Sequence, residues 1–215
     1  FSWPVNGDSL VNLLATESVR AGSQAEGSDF NIPSLGEPDF LTAMKTFGIK
    51  QVWLSLPCTF TATDAVNFVD YIGATSGGSN TWANLRASLG QTAPWTTVFN
   101  RIVIEYCNEA WNTATGNLSM PQYNTGGNSS WNYMPLVINF DTAMKADTNW
   151  NSSIMKTAAG IQTANGNGFP FGFGASIVTA DTGHAVDLFA ANEYGMFTPT
   201  NCSTTQLFQS ATTEA

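Results

Sequence analysis

The chain has 215 residues, 43% of them apolar and only 11% charged, with a formal net charge of −9 and a pI near 4.2. That is enough apolar material for one sizeable core, so a single domain over 1–215 is expected and a disordered tail is excluded. Seven Lys and Arg residues are too few for a phosphate-binding surface, which excludes a nucleic-acid partner.

A surface rich in Asn, Thr, Ser and Gly rather than charge points to an extracellular or periplasmic protein. Cys58, Cys107 and Cys202 match no zinc pattern, and the single histidine, His184, rules against a Ser-His-Asp triad; no metal or other cofactor is expected. No stretch approaches a membrane span in length, so no membrane partner is expected. With Phe1 at its start and Thr-Thr-Glu-Ala at its close, the chain reads as part of a longer, processed polypeptide.

In chain order, Asp8 or Ser9 caps a helix carrying Leu10, Val11, Leu13 and Leu14, and a Gly-, Ser- and Pro-rich loop follows from Ala21 to Glu37. Pro38 opens a helix with Phe40, Leu41, Met44 and Phe47 at helical spacing, which Gly48 ends. Gln51 to Leu56 reads as a strand stopped by Pro57, and Thr63 or Asp64 caps a helix through Ala65, Phe68, Val69, Tyr71 and Ile72. A Gly- and Asn-rich connection then passes Leu85, Arg86 and Pro94-Trp95 to a second strand at Arg101. After Asn112 a polar loop reaches Trp131 and Tyr133. A helix follows over Leu136 to Asp147, then a strand over Ile154 to Ile161, and a last strand over Val186 to Ala191. Alternating strands and helices predict a parallel sheet with helical crossovers.

The stretch from Arg101 to Asn112 is the centre of this pattern. Ile102, Val103 and Ile104 are the β-branched run of a strand buried on both faces, and Glu105-Tyr106-Cys107-Asn108-Glu109 cannot prolong that burial. Glu105, Cys107 and Glu109 share one parity, and Glu109 falls at the carboxyl end of the strand, where parallel α/β folds hold their ligands. Glu105 is expected to point inward and to pair with Arg20 or Arg86.

The ordered series Leu35 to Leu41, Phe47-Gly48, a strand, Asp64 to Tyr71, Leu85-Arg86, Gly90, Pro94-Trp95 and Ile104 to Glu109 resembles the α-L-arabinofuranosidase type of retaining glycoside hydrolase, in the clan of (β/α)8-barrel glycosidases. The resemblance covers about residues 35 to 112 and continues with fewer matches to Tyr194. It implies an α/β TIM barrel, incomplete here, with about the second to the sixth strands present. It also implies an oligosaccharide or polysaccharide substrate. Glu109 would be the general acid/base and Asn108 the ligand of the sugar's 2-hydroxyl. On the sixth strand the family has an Asp followed, five and seven residues later, by His and Tyr; here Asp187 leads to Asn192 and Tyr194, so an amide stands in place of an imidazole. Cys107 replaces the family's usual Gly. The family's nucleophile, a Glu ending the seventh strand, has no counterpart, and Glu214 is not assigned to that role.

A retaining enzyme needs one protonated carboxyl group to assist the leaving oxygen and a second, about 5 Å away, to attack carbon. Trp111, next to Glu109, is the aromatic residue best placed to stack on a sugar ring, ahead of Trp131 and Tyr133. His184 reads as a loop or capping residue, and sequons stand at Asn117, Asn128, Asn151 and Asn201. The expected function is hydrolysis of glycosidic bonds by a retaining mechanism. The alternatives are a barrel that binds carbohydrate without turnover and an extracellular structural domain.

Overall fold

A computed structural model of the chain describes residues 9–16, 36–57, 60–106, 129–162 and 181–192. A short helix, α1 (Leu10–Leu13), buries Leu10, Leu13 and Leu14. In α2 (Glu37–Thr46), Pro38 occupies the first turn and Leu41 is buried. Phe47 does not extend the apolar stripe as its spacing predicts: it is the C-cap, and it is 76% exposed. Gly48 then turns the chain at a φ of 73°, which a residue lacking Cβ adopts at least cost.

Strand β1 (Gln51–Leu56) has the predicted bounds and is followed by Pro57. The helix after it, α3 (Ala62–Gly73), starts earlier than expected, because Thr61 is the cap and Asp64 the third residue of a capping box. Asp64 N donates to Thr61 Oγ1 at 3.2 Å and Thr61 N donates to Asp64 Oδ2 at 2.8 Å, so two otherwise unpaired donors are satisfied reciprocally. Gly73 ends α3 where the Asn149 carbonyl oxygen comes so close that a Cβ would collide with it.

The next segment was expected to be a connection, yet it contains α4 (Thr81–Ser88), whose Asn80 side chain accepts from Ala83 N at 2.9 Å, and a single 3-10 turn at Trp95–Thr97. The fully buried Arg86 guanidinium donates to the carbonyl oxygens of Tyr71, Ala74 (2.6 Å) and Gln91 (3.2 Å). Tyr71 and Ala74 belong to the last turn and cap of α3, where carbonyls lack helical partners, so Arg86 completes that helix from outside. Burial lowers the pKa of Arg86 from its ordinary value.

Strand β2 (Arg101–Tyr106) pairs in parallel with β1, from Gln51↔Arg101 to Leu56↔Tyr106. Its other edge pairs in parallel with β3 (Met155–Gln162), and β3 pairs in parallel with β4 (Leu188–Asn192), giving the order β1-β2-β3-β4. The crossover from β2 to β3 includes α5 (Ser129–Ala146), which takes in Trp131 and Tyr133, so these are helical rather than loop positions. The expected parallel α/β sheet is present, with four strands among the described residues.

Parity divides the two faces. Val52, Leu54, Leu56, Ile102, Ile104, Tyr106, Met155 and Ala159 join Phe68, Val69 and Ile72 of α3 and Val137, Phe140 and Met144 of α5 in one apolar core. Trp53, Ser55, Val103, Glu105 and Ala158 occupy the opposite parity. Replacing Arg86 with Met keeps the stem's volume but strips several buried carbonyls of their donor; the expected loss is about 3 kcal/mol in urea unfolding. A loss below about 1 kcal/mol would show that these carbonyls find other partners.

Candidate active site

Because all four strands run the same way, their carboxyl ends, Leu56, Tyr106, Gln162 and Asn192, form one rim. The ladder levels are fixed by pairing: Ser55 is level with Glu105, Glu105 with Ala158 and Ala158 with Leu188. Gln162 pairs with Asn192 at the far end of the same ladder.

On the sheet face opposite the helices, Glu105 is buried, with its Oε2 accepting from Trp53 Nε1 at 2.8 Å and from Ser55 Oγ at 3.0 Å. The sequence-based expectation that Glu105 pairs with Arg86 is therefore corrected. Arg86 points its donors at the ends of α3 and α4, while Glu105 takes neutral donors from the neighbouring strand. Trp53 and Ser55 were not anticipated as a functional pair. Their signal was present in the alternation of β1, where a Ser and an indole interrupt Val52, Leu54 and Leu56 at every second position.

Of the residues singled out in the sequence, Asn108, Glu109, Trp111 and Tyr194 lie outside the described residues, as do Arg20, Cys58, Cys107 and Cys202. Asn192 is the last residue of β4 and so stands on the rim. Asp187, five residues earlier, lies at the opposite, entry end of that strand. Its Oδ1 accepts from Lys145 Nζ at 2.9 Å, and its Oδ2 accepts from Thr157 N at 2.9 Å. Partial burial pushes the Asp187 pKa up, but the Thr157 N–H and the Lys145 ammonium outweigh it and hold the carboxyl below its ordinary value. Asp187 thus ties β4 to β3 and α5. His184 lies exposed in the preceding turn at a φ of 52°, its N–H donating to the Asp181 carbonyl at 3.1 Å, which fits the expected loop role.

A recess of about 240 Å³ opens between the start of α3 and α5, lined by Phe60, Thr61, Ala62, Tyr106, Leu136, Asn139 and Phe140. Tyr106 and Phe140, with ring centroids 4.7 Å apart, form its apolar floor. It lies on the helix side of the sheet, away from Glu105. Among the described residues, no group of three or more His, Cys, Asp or Glu side chains could hold a metal ion, and no helix is long and apolar enough to cross a membrane.

No family model matches the chain, and no curated protein matches it either. Solved structures do. The chain is similar to AbfB, a family 51 α-L-arabinofuranosidase from Bifidobacterium longum, with a TM-score of 0.61 and 17% identity over 87% of this chain and 33% of that one. It is also similar to the GH51 arabinofuranosidase from Xanthomonas axonopodis pv. citri, with a TM-score of 0.59 and 14% identity over 88% of this chain and 34% of that one. The thermostable GH51 α-L-arabinofuranosidase from Thermotoga petrophila RKU-1 gives a TM-score of 0.60 and 15% identity, covering 87% of this chain and 34% of that one. At such identities the likeness is one of fold, and the chain spans about a third of the length of these proteins.

Trp53→Phe removes the indole donor from Glu105 while keeping an aromatic ring, and should cost about 1.5–3 kcal/mol at neutral pH, read by chemical denaturation. An unchanged midpoint would mean that the other partners of Glu105, Ser55 among them, satisfy the carboxylate without the indole. Asp187→Asn should cost about 1 kcal/mol at neutral pH, the modest figure reflecting a partly exposed and screened ion pair. Since the folded pKa of Asp187 is depressed, its stabilisation is present above the ordinary carboxylate range and is lost as pH falls through the folded value; wild type and variant should converge in acid. A difference that persists unchanged into acid would assign the cost to packing.

Proposed function

We propose that the chain carries part of the catalytic domain of a glycoside hydrolase, built as a (β/α)8 barrel and acting on arabinofuranosyl side chains of polysaccharides outside the cell by a retaining mechanism. The observation that carries this reading is a parallel sheet whose fold is similar to α-L-arabinofuranosidases, together with a sequence in which Asn108-Glu109 follows the last residue of β2 within three positions. In barrels, catalytic groups come from the carboxyl rim of the sheet.

In this reading Glu109 is the general acid/base, Asn108 holds the sugar's 2-hydroxyl, and Trp111 offers an apolar face to the ring. Asn192, the last residue of β4, and Tyr194, two positions on in the sequence, are the further sugar contacts in this reading. Protonated Glu109 delivers its proton to the leaving glycosidic oxygen as the bond to carbon breaks. Once the glycosyl group has passed to the second carboxylate, ionised Glu109 takes the proton from the attacking water. In this reading that second carboxylate is the one that the resemblance puts at the end of a seventh strand. The amide of Asn192, standing where the resemblance calls for imidazole, can still donate to a sugar hydroxyl but cannot titrate near neutrality.

The test uses the full-length protein with aryl and alkyl arabinofuranosides. Glu109→Gln should lower turnover of substrates with poor leaving groups by about 10²–10⁴-fold and leave activated nitrophenyl substrates much less affected. In Glu109→Ala, where the side chain is cut away, azide should partly restore turnover of the activated substrates. Equal loss on both would contradict the acid role. Sugar binding by a wild type that never turns over would replace this reading with that of a carbohydrate-binding barrel.

A further inference from the structure

Asp141, in the second half of α5, is fully buried, and neither of its carboxyl oxygens makes a hydrogen bond. An ionised carboxylate in that position would forfeit its hydration without compensation. Every nearby group that could stabilise the charge is committed elsewhere. Lys145, one helical turn along α5, places its ammonium on Asp187 at 2.9 Å. The Thr157 hydroxyl on β3 has two acceptors for its proton, the Ala185 carbonyl at 2.9 Å and Asp187 Oδ2 at 3.3 Å, and accepts from Asp187 N at 3.1 Å. With its proton drawn to those acceptors, Thr157 eases a charge on Asp141 only in part and makes no hydrogen bond to either of its oxygens.

The other facing groups do not help. Before β4, Asp181 spends its oxygens on Ala185 N at 2.7 Å and Val186 N at 2.9 Å, and both Asp181 and Asp187 add negative charge. Exposed His184 lies in the same turn. On β3, Lys156 donates to the Ser152 carbonyl at 2.7 Å, and on α3, Asp70 accepts from Asn149 Nδ2 at 2.7 Å.

We propose that Asp141 makes the seating of α5 against β3 and the start of β4 an acid-strengthened contact, held most firmly when this carboxyl carries its proton. The energetics run the same way: burial raises the Asp141 pKa well above its ordinary value, and proximity to Thr157 and Lys145 reduces the shift without abolishing it. A carboxyl raised in the folded state contributes stability that is complete below its unfolded pKa and is lost as pH rises through the folded value. Asp187 has the opposite dependence, at lower pH, so the junction is most stable in moderate acid.

The experiment compares thermal unfolding of the full-length wild type and Asp141→Asn from about pH 4 to about pH 8. The wild-type Tm should fall by several degrees towards the alkaline end. Asp141→Asn should remove most of that fall and exceed the wild type there, because its amide needs no deprotonated form. A variant that retains the wild-type slope, or loses the same stability at every pH, overturns the proposal. If Asp141→Asn does not fold, the carboxyl carbon resonance of Asp141 in the wild type decides: a protonated chemical shift retained at about pH 6 supports the proposal, and an ordinary carboxylate titration refutes it.

Discussion

The parallel pairing of β2 between β1 and β3 is the constraint on which the rest of the structure depends. Strands that run the same way cannot be joined by a tight turn, so each crossing must carry the chain back along the sheet. Here the crossings use α3 and α4 between β1 and β2, and α5 between β2 and β3. The helices bury their apolar stripes against one sheet face, which commits Val52, Leu54, Ile102, Ile104 and Met155 to that side. The opposite parity is thereby free to hold polar groups, and every strand ends on the same rim.

Three buried charged residues show three ways of tolerating burial. Arg86 satisfies its donors on carbonyls that the end of a helix leaves unpaired. Glu105 takes an indole N–H and a hydroxyl from the adjacent strand. Asp141 has neither solution, and the arrangement around it favours a retained proton. Together they place the polar interior in a definite order: helix ends at one flank, the sheet face opposite the helices, and the entry ends of β3 and β4.

Much of the scaffold was legible where punctuation and periodicity agreed. Gly48 and Pro57 bracket β1, and the β-branched run Ile102 to Ile104 marks β2. What escaped notice lacked one of those signals. In α4 only Ala83 and Arg86 are buried, so no apolar stripe announces a helix, and Asn80 alone marks its start. The first turns of α5 are polar and include Pro135, which made helical positions read as loop. The α3 cap was misplaced because Thr61, Thr63 and Asp64 all suit that role, and only the reciprocal bonds distinguish Thr61. Opposite charge made Arg86 an attractive partner for Glu105, but sequence does not tell which side of a sheet a helical residue serves. On the candidate site, the sequence reading put Asn192 at the end of a strand, where the structure has it, and Glu109 just beyond one, outside the described residues.

The proposed function joins the carboxyl rim of the sheet to a fold similar to α-L-arabinofuranosidases and to the glutamate that stands three positions after β2 in the sequence. Its central claim is double displacement at an arabinofuranosyl centre. The most direct measurement is the anomeric configuration of the first-formed sugar, followed by proton NMR as the full-length protein hydrolyses nitrophenyl α-L-arabinofuranoside before mutarotation mixes the anomers. The account predicts the α-anomer as initial product. A β-anomer, or no turnover of that substrate, would contradict it.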